Sequence, residues 1–200
     1  MTLTEVRPVA ATAARRAMID SQLRVSGVND TRVLAAFADV AREDFVPEAA
    51  RGHAYIDRAI PLGDGRALAA PLVHGLMLVE ARATPVDRAL VVSGGSGYLA
   101  AVLRPLVSSL DEIDAADLGA PPGQTGDYSL VLIDGAIEAL PASLAARLAE
   151  GGRIVTGLVE RGVTRLAIGR KVAGQISLLT LGEIGIPILS EFAPAKRWSF

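Results

Sequence analysis

The chain has 200 residues, half of them hydrophobic and 21% charged, which suits one domain with a sizeable core and excludes long disorder. Its 20 basic and 22 acidic residues are interspersed and leave a formal charge of −2, so no basic face points to nucleic acid or anionic lipid. There is no cysteine, which excludes disulfides, thiolate metal sites and cysteine nucleophiles.

From Met1 to Ala17 the chain scatters Glu5, Arg7, Arg15 and Arg16 among small residues, unlike a signal peptide. No stretch reaches the roughly 18 unbroken apolar residues of a membrane span, and a soluble cytoplasmic protein is expected. Thr12 to Arg24 carries Ala13, Ala17 and Leu23 at helical spacing. Asn29-Asp30-Thr31 offers caps ahead of the stripe Val33, Leu34, Phe37 and Val40, which predicts a second helix. Phe45-Val46-Pro47 closes that unit and opens a short third helix. Ala54 to Leu68, with Pro61, Gly63 and Gly65, reads as an irregular arm. Pro71 then opens a helix through Ala81.

Near residue 88 the period changes from helical to strand-like. Arg88 to Ser93 is a short apolar run followed at once by Gly94-Gly95-Ser96-Gly97 and the helix-forming Leu99 to Leu103: strand, glycine turn, helix. Tyr128 to Asp134 and Arg153 to Leu158 read as further buried strands, with a helix from Pro141 to Ala149 between them. Residues 164–171 and 176–183 alternate as an antiparallel hairpin around Gly174. The expected fold class is α/β in one domain: a helical region with its arm over 1–82, then an α/β core over 83–200, with helices on both faces of a mixed sheet.

Several stretches are successive landmarks in order and spacing: Met18-Ile-Asp-Ser-Gln-Leu-Arg24, Arg42-Glu-Asp-Phe-Val-Pro47, Ala54-Tyr-Ile-Asp57, Pro61-Leu-Gly-Asp-Gly65, Pro71, Ser96-Gly97-Tyr98, Gly151-Gly-Arg-Ile-Val155 and the aromatic end. Through them the sequence resembles the protein-L-isoaspartate O-methyltransferase family along nearly its whole length. The resemblance implies a Rossmann-like methyltransferase fold and S-adenosylmethionine as cofactor. The implied activity is repair: methylation of the abnormal isoaspartyl carboxylate in a damaged protein or peptide. It also implies cofactor contacts at Ser93, Gly94, Gly95, Ser96, Gly97 and Tyr98, a ribose-binding acid at Asp111, and substrate contacts at Tyr55 and Asp57. On the residues alone, the glycine turn also suits plain strand–helix packing. Asp111 with Glu112, Asp114 and Asp117 also suits a solvated acidic turn, and Asp57 with Arg58 a surface ion pair.

The sequence departs from the family in three places. The family's glycine loop runs acid, apolar, Gly, x, Gly, x, Gly; the acid beside the cofactor's methionyl end is Val91 here, and the first glycine is Ser93. Losing that carboxylate predicts millimolar or absent cofactor binding, against about −8.2 kcal/mol for 1 μM affinity. The family's Thr–apolar–Ser–Gln–Pro segment, with hydroxyls near the isoaspartyl group, falls on Ala67-Leu68-Ala69-Ala70-Pro71, so the hydroxyl positions Ala67 and Ala69 are bare. Finally, a half-sheet needs two strands and two helices between Tyr98 and Asp127, whereas one βαβ unit takes about 30 residues or more; a strand–helix pair must be absent or reduced. Val107 to Asp111 is the remaining candidate for the second strand.

Two functions are therefore expected from the sequence: a weakened methyltransferase, or a pseudoenzyme that keeps the fold as a binding or assembly module. Gly94-Gly-Ser96-Gly-Tyr98 lacks the last glycine of a serine nucleophile elbow. The two histidines, His53 and His74, show no metal-ligand spacing with the carboxylates, and His74 in its apolar helix reads as a packing residue. A shortened sheet exposes an edge. Thr2 to Ala11 and Leu118 to Thr125, with Pro121-Pro122, are the segments that can cover it; failing them, two chains pair as a two-fold homodimer. Trp198 and Phe200 are expected to pack against the sheet.

Overall fold

The computed structural model describes residues 9–119 and 128–192. The N-terminal region begins with α1 (Val9–Met18), which runs on through a π-helical turn over Ile19–Leu23. Asp30 then caps α2 (Thr31–Asp39) by accepting from the amides of Arg32 and Val33, satisfying two of the free donors of the first turn. The stripe Val33, Leu34 and Phe37 is buried as its spacing predicts. The short helix expected after Pro47 is a 3₁₀ segment, Glu48–His53, preceded by another at Arg42–Phe45. Helix α3 (Pro71–Ala81) starts at its proline and buries Val73, His74, Gly75, Met77, Leu78 and Ala81, which explains why its sequence has little polar face.

The arm over 54–68 is not irregular throughout: β1 (Ile60–Gly63) and β2 (Arg66–Leu68) form an antiparallel hairpin. Its turn residues, Asp64 and Gly65, both have positive φ, 50° and 76°. Such a turn carries the twist that a two-residue hairpin needs, and Asp-Gly is a favoured sequence for it.

The core sheet has six strands. They are β3 (Arg88–Ser93), β4 (Ser109–Asp114), β5 (Tyr128–Ile137), β6 (Leu148–Glu160), β7 (Val163–Val172) and β8 (Gln175–Glu183). Their order is β4-β3-β5-β6-β7-β8; the first four run parallel, β7 pairs antiparallel with β6, and β8 pairs antiparallel with β7. Helix α4 (Tyr98–Leu103) follows β3, and α5 (Ala142–Arg147) precedes β6. The second strand lies two or three residues later than the sequence suggests, and Leu148 already belongs to β6 rather than to the helix before it. Alternate residues of β3 and β5 face two separate apolar clusters: Ala89, Val91, Leu130 and Leu132 on the α3 and α4 side, Leu90, Val92, Val131 and Ile133 on the other. Burial on both faces is why these strands read as continuous apolar runs.

Strand β4 forms one edge, with nothing beyond it among the described residues, in keeping with a missing strand–helix pair. The proposed covering segments fall largely, and Trp198 and Phe200 wholly, outside the described residues. After β3 the chain crosses to β4 on one side, and β5 then joins β3 on the other. Connections thus diverge at the carboxyl ends of β3 and β5, which opens a crevice where ligands bind in sheets of this kind.

Candidate functional site

The crevice is lined by the turn after β3. Ser93 is the last residue of the strand, so it needs no left-handed conformation; Gly95 and Gly97 take that role, with φ of 101° and 72°. Ser93 Oγ accepts from the Gly95 amide and Ser96 Oγ from the Tyr98 amide, both at 3.2 Å, which fixes the turn. Gly94 is required for another reason: a Cβ there would overlap the backbone carbonyl oxygen of Asp134 at the end of β5. A Cβ on Gly95 would come within 2.9 Å of Arg66 Cδ, and one on Gly97 within 3.4 Å of Glu112 Oε1. The glycines thus let the end of β5, the arm hairpin and the β4 carboxylate converge on one turn.

Of the acids of β4, Glu112 borders the glycine turn. Asp111, opposite in register to Leu90, instead accepts from the Tyr128 hydroxyl at 2.8 Å and lies 3.9 Å from Arg88. Asp114 takes both terminal nitrogens of Arg66, at 2.6 and 2.7 Å, and Arg66 also reaches Glu191 at 2.7 Å. The Arg66 guanidinium holds the Asp114 carboxyl down at a pKa of about 2, and the two acids raise that of Arg66. The hairpin that carries Ala67 is thereby strapped across the turn. Ala67 is half-buried and Ala69 buried, 2% exposed.

Tyr55 and Asp57 have structural partners. The Tyr55 hydroxyl donates to Glu43 and accepts from Arg15 Nε at 2.8 Å. Burial and Glu43 push its pKa up to about 12. It borders a cleft of about 920 Å³ along α1, shared with Ala14, Met18, Gln22 and Glu43. Asp57 accepts from the Leu72 amide at 3.2 Å, at the first turn of α3.

Beneath the glycine turn lies a buried polar group that the sequence reading did not assemble. His74 Nε2 and Asp134 Oδ1 are 2.7 Å apart, with side-chain exposures of 0% and 4%. Tyr98 packs beside the imidazole, its ring 5.5 Å away, and the fully buried Arg42 lies over the Tyr98 ring at 4.9 Å. Arg42 donates to the carbonyls of Ala54 and Ala69, tying the arm to the core. Burial lowers the Arg42 pKa and raises that of Tyr98. His74 Nδ1, the Tyr98 hydroxyl and Arg42 Nη1 have no partner among the described residues. Residues 74 and 134 are sixty apart in sequence, and only the crossing of α3 over β5 brings them together. No group of three or more metal-ligating side chains occurs among the described residues, and no helix among them is long and apolar enough to cross a membrane.

A parallel sheet with antiparallel end strands and a glycine turn at its switch point defines a Rossmann-like methyltransferase fold. A Plasmodium falciparum protein-L-isoaspartate O-methyltransferase, solved with S-adenosyl-L-homocysteine, shares the fold with a TM-score of 0.71 over 90% of this chain and 98% of that one, at 19% identity. The family model for protein-L-isoaspartate(D-aspartate) O-methyltransferase matches residues 13–114. The protein-L-isoaspartate O-methyltransferase of Roseiflexus castenholzii is 34% identical over 72% of this chain and 77% of its own. That of Koribacter versatilis is 31% identical over 91% and 94%. The chain belongs to the protein-L-isoaspartate O-methyltransferase family.

Proposed function

We propose that this protein binds S-adenosylmethionine at the glycine turn and methylates isoaspartyl carboxylates of damaged cytoplasmic proteins, at a reduced rate. The observation that carries the reading is the contrast between a glycine turn that keeps its left-handed residues and a substrate side without hydroxyls. Side chains at Gly94 or Gly95 would collide with the Asp134 carbonyl and with Arg66, so only glycine keeps the turn in its tight form, and the Glu112 carboxylate at Gly97 is a double acceptor suited to a ribose diol. We assign Glu112 this role in preference to Asp111, which is engaged with Tyr128 and Arg88. When bound, the cofactor supplies an electrophilic methyl group. The protein has to hold an already ionised carboxylate in line with it, a task of orientation rather than of proton transfer.

Ala67 and Ala69 offer no hydroxyl for that task. Each missing hydrogen bond removes about 1 kcal/mol, more where a charged acceptor is involved. The strap of Arg66 over Gly95 favours a second reading, a non-catalytic module whose cradle stays closed. Methyl transfer to an isoaspartyl peptide, followed with labelled cofactor, separates the two. Slow but saturable transfer, increased by Ala67→Thr, is expected; no transfer by either protein would leave the second reading standing.

A further inference from the structure

We infer that Asp134, held by His74 as a positioning residue, is the carboxylate that binds the ammonium at the methionyl end of the ligand. This rests on the cofactor reading above and adds to it. Val91 and Leu132 are in register on neighbouring strands and face the same side of the sheet. Asp134 lies two residues further along β5 and, by its bond to His74 of α3, faces that side as well. At about 3.3 Å of rise per residue, it stands roughly 7 Å nearer the carboxyl edge than the position of Val91. The carboxylate absent from β3 is thus present on the adjacent strand, beside the same turn.

Three local features fit that role. The pairing of β5 with β6 is irregular between Leu132 and Ala136, and such a bulge re-aims the side chains within it. The Asp134 carbonyl packs under Gly94, which fixes the residue against the turn. Its carboxylate is hydrogen-bonded through Oδ1 to His74, whereas Oδ2 has no hydrogen bond among the described residues. An N–H donated from His74 Nε2 orients the carboxylate and leaves Oδ2 for the ligand. Arg42 is the nearby buried cation, but its bonds go to Ala54 and Ala69. A nearly buried carboxylate with one oxygen outside any hydrogen bond among the described residues, next to the glycine turn, is suited to a charge-assisted bond from an ammonium.

The test compares two ligands by titration calorimetry on the full chain. S-Adenosylhomocysteine carries the ammonium, and 5′-methylthioadenosine has the same nucleoside and sulfur without it. Asp134→Asn should weaken the first by about ten- to a hundredfold and leave the second unchanged. His74→Gln should show the same selective loss to a smaller degree, and Val91→Glu in the Asp134→Asn background should recover part of it. Because Asp134→Asn can disturb folding, wild type is also titrated with N-acetylated S-adenosylhomocysteine, where the same loss is expected. Equal affinity for the acetylated and free ligands, or a parallel loss of both ligands in Asp134→Asn, overturns the inference and leaves cofactor binding intact. No binding of S-adenosylhomocysteine to wild type overturns both.

Discussion

Gly94→Ala is the smallest change that tests how the site is built. The added methyl would sit inside 3.0 Å of the Asp134 carbonyl oxygen, and the obstacle is backbone, not the movable end of a side chain. Relief requires the end of β5 to part from the glycine turn. Overpacking of this kind costs about 1–3 kcal/mol. For a domain of this size each kcal/mol corresponds to roughly 2–4 °C in Tm, so a fall of about 2–12 °C is expected. Gly52→Ala is the control, because its methyl would meet nothing within 4 Å, and it should stay within about 0.5 kcal/mol of wild type. Urea unfolding followed by circular dichroism measures both. S-Adenosylhomocysteine affinity should fall in Gly94→Ala and hold in Gly52→Ala. If Gly94→Ala is as stable as wild type and binds as well, the close approach of turn and strand end is not a requirement of the site.

Arg42→Met should destabilise by about 2–5 kcal/mol in the same assay, because it leaves the buried carbonyls of Ala54 and Ala69 without their donor. The Asp114 carboxyl is depressed to about 2 by Arg66, so its contribution is present in full above its unfolded value of about 3.9 and is lost as pH falls toward 2. Acid unfolding of Arg66→Gln should therefore show a shallower loss of stability across that window; an unchanged slope would count against the strap. In Glu43→Gln the Tyr55 phenol, now at about 12, should titrate at lower pH by ultraviolet absorbance, since the adjacent carboxylate helps to raise it.

Much of this fold is readable in the sequence because local signals agree with it. Asp30 caps where its type and position predict, Pro71 opens α3, and the doubly buried strands announce themselves as apolar runs before glycine. The hairpin at 60–68 was legible too, in Asp64-Gly65, but its strands are too short to show a period. The site is another matter. The loss of the acid at Val91 is plain in sequence; its counterpart at Asp134 depends on a strand register and a bulge, which no local pattern encodes. Glu112 and Asp111 are adjacent, and only the pleat of β4 decides which one borders the turn. His74 reads as a packing residue because its helix is apolar throughout, and its partner is sixty residues away.

The central claim is that the glycine turn is a working cofactor cradle despite Val91 and Arg66. Titration calorimetry of the wild-type chain with S-adenosylhomocysteine tests it most directly. One ligand per chain with a Kd between about 1 μM and 1 mM, that is −8.2 to −4.1 kcal/mol, is the predicted result. No heat of binding at several times that upper concentration, with a thermal midpoint that the ligand does not raise, would contradict it.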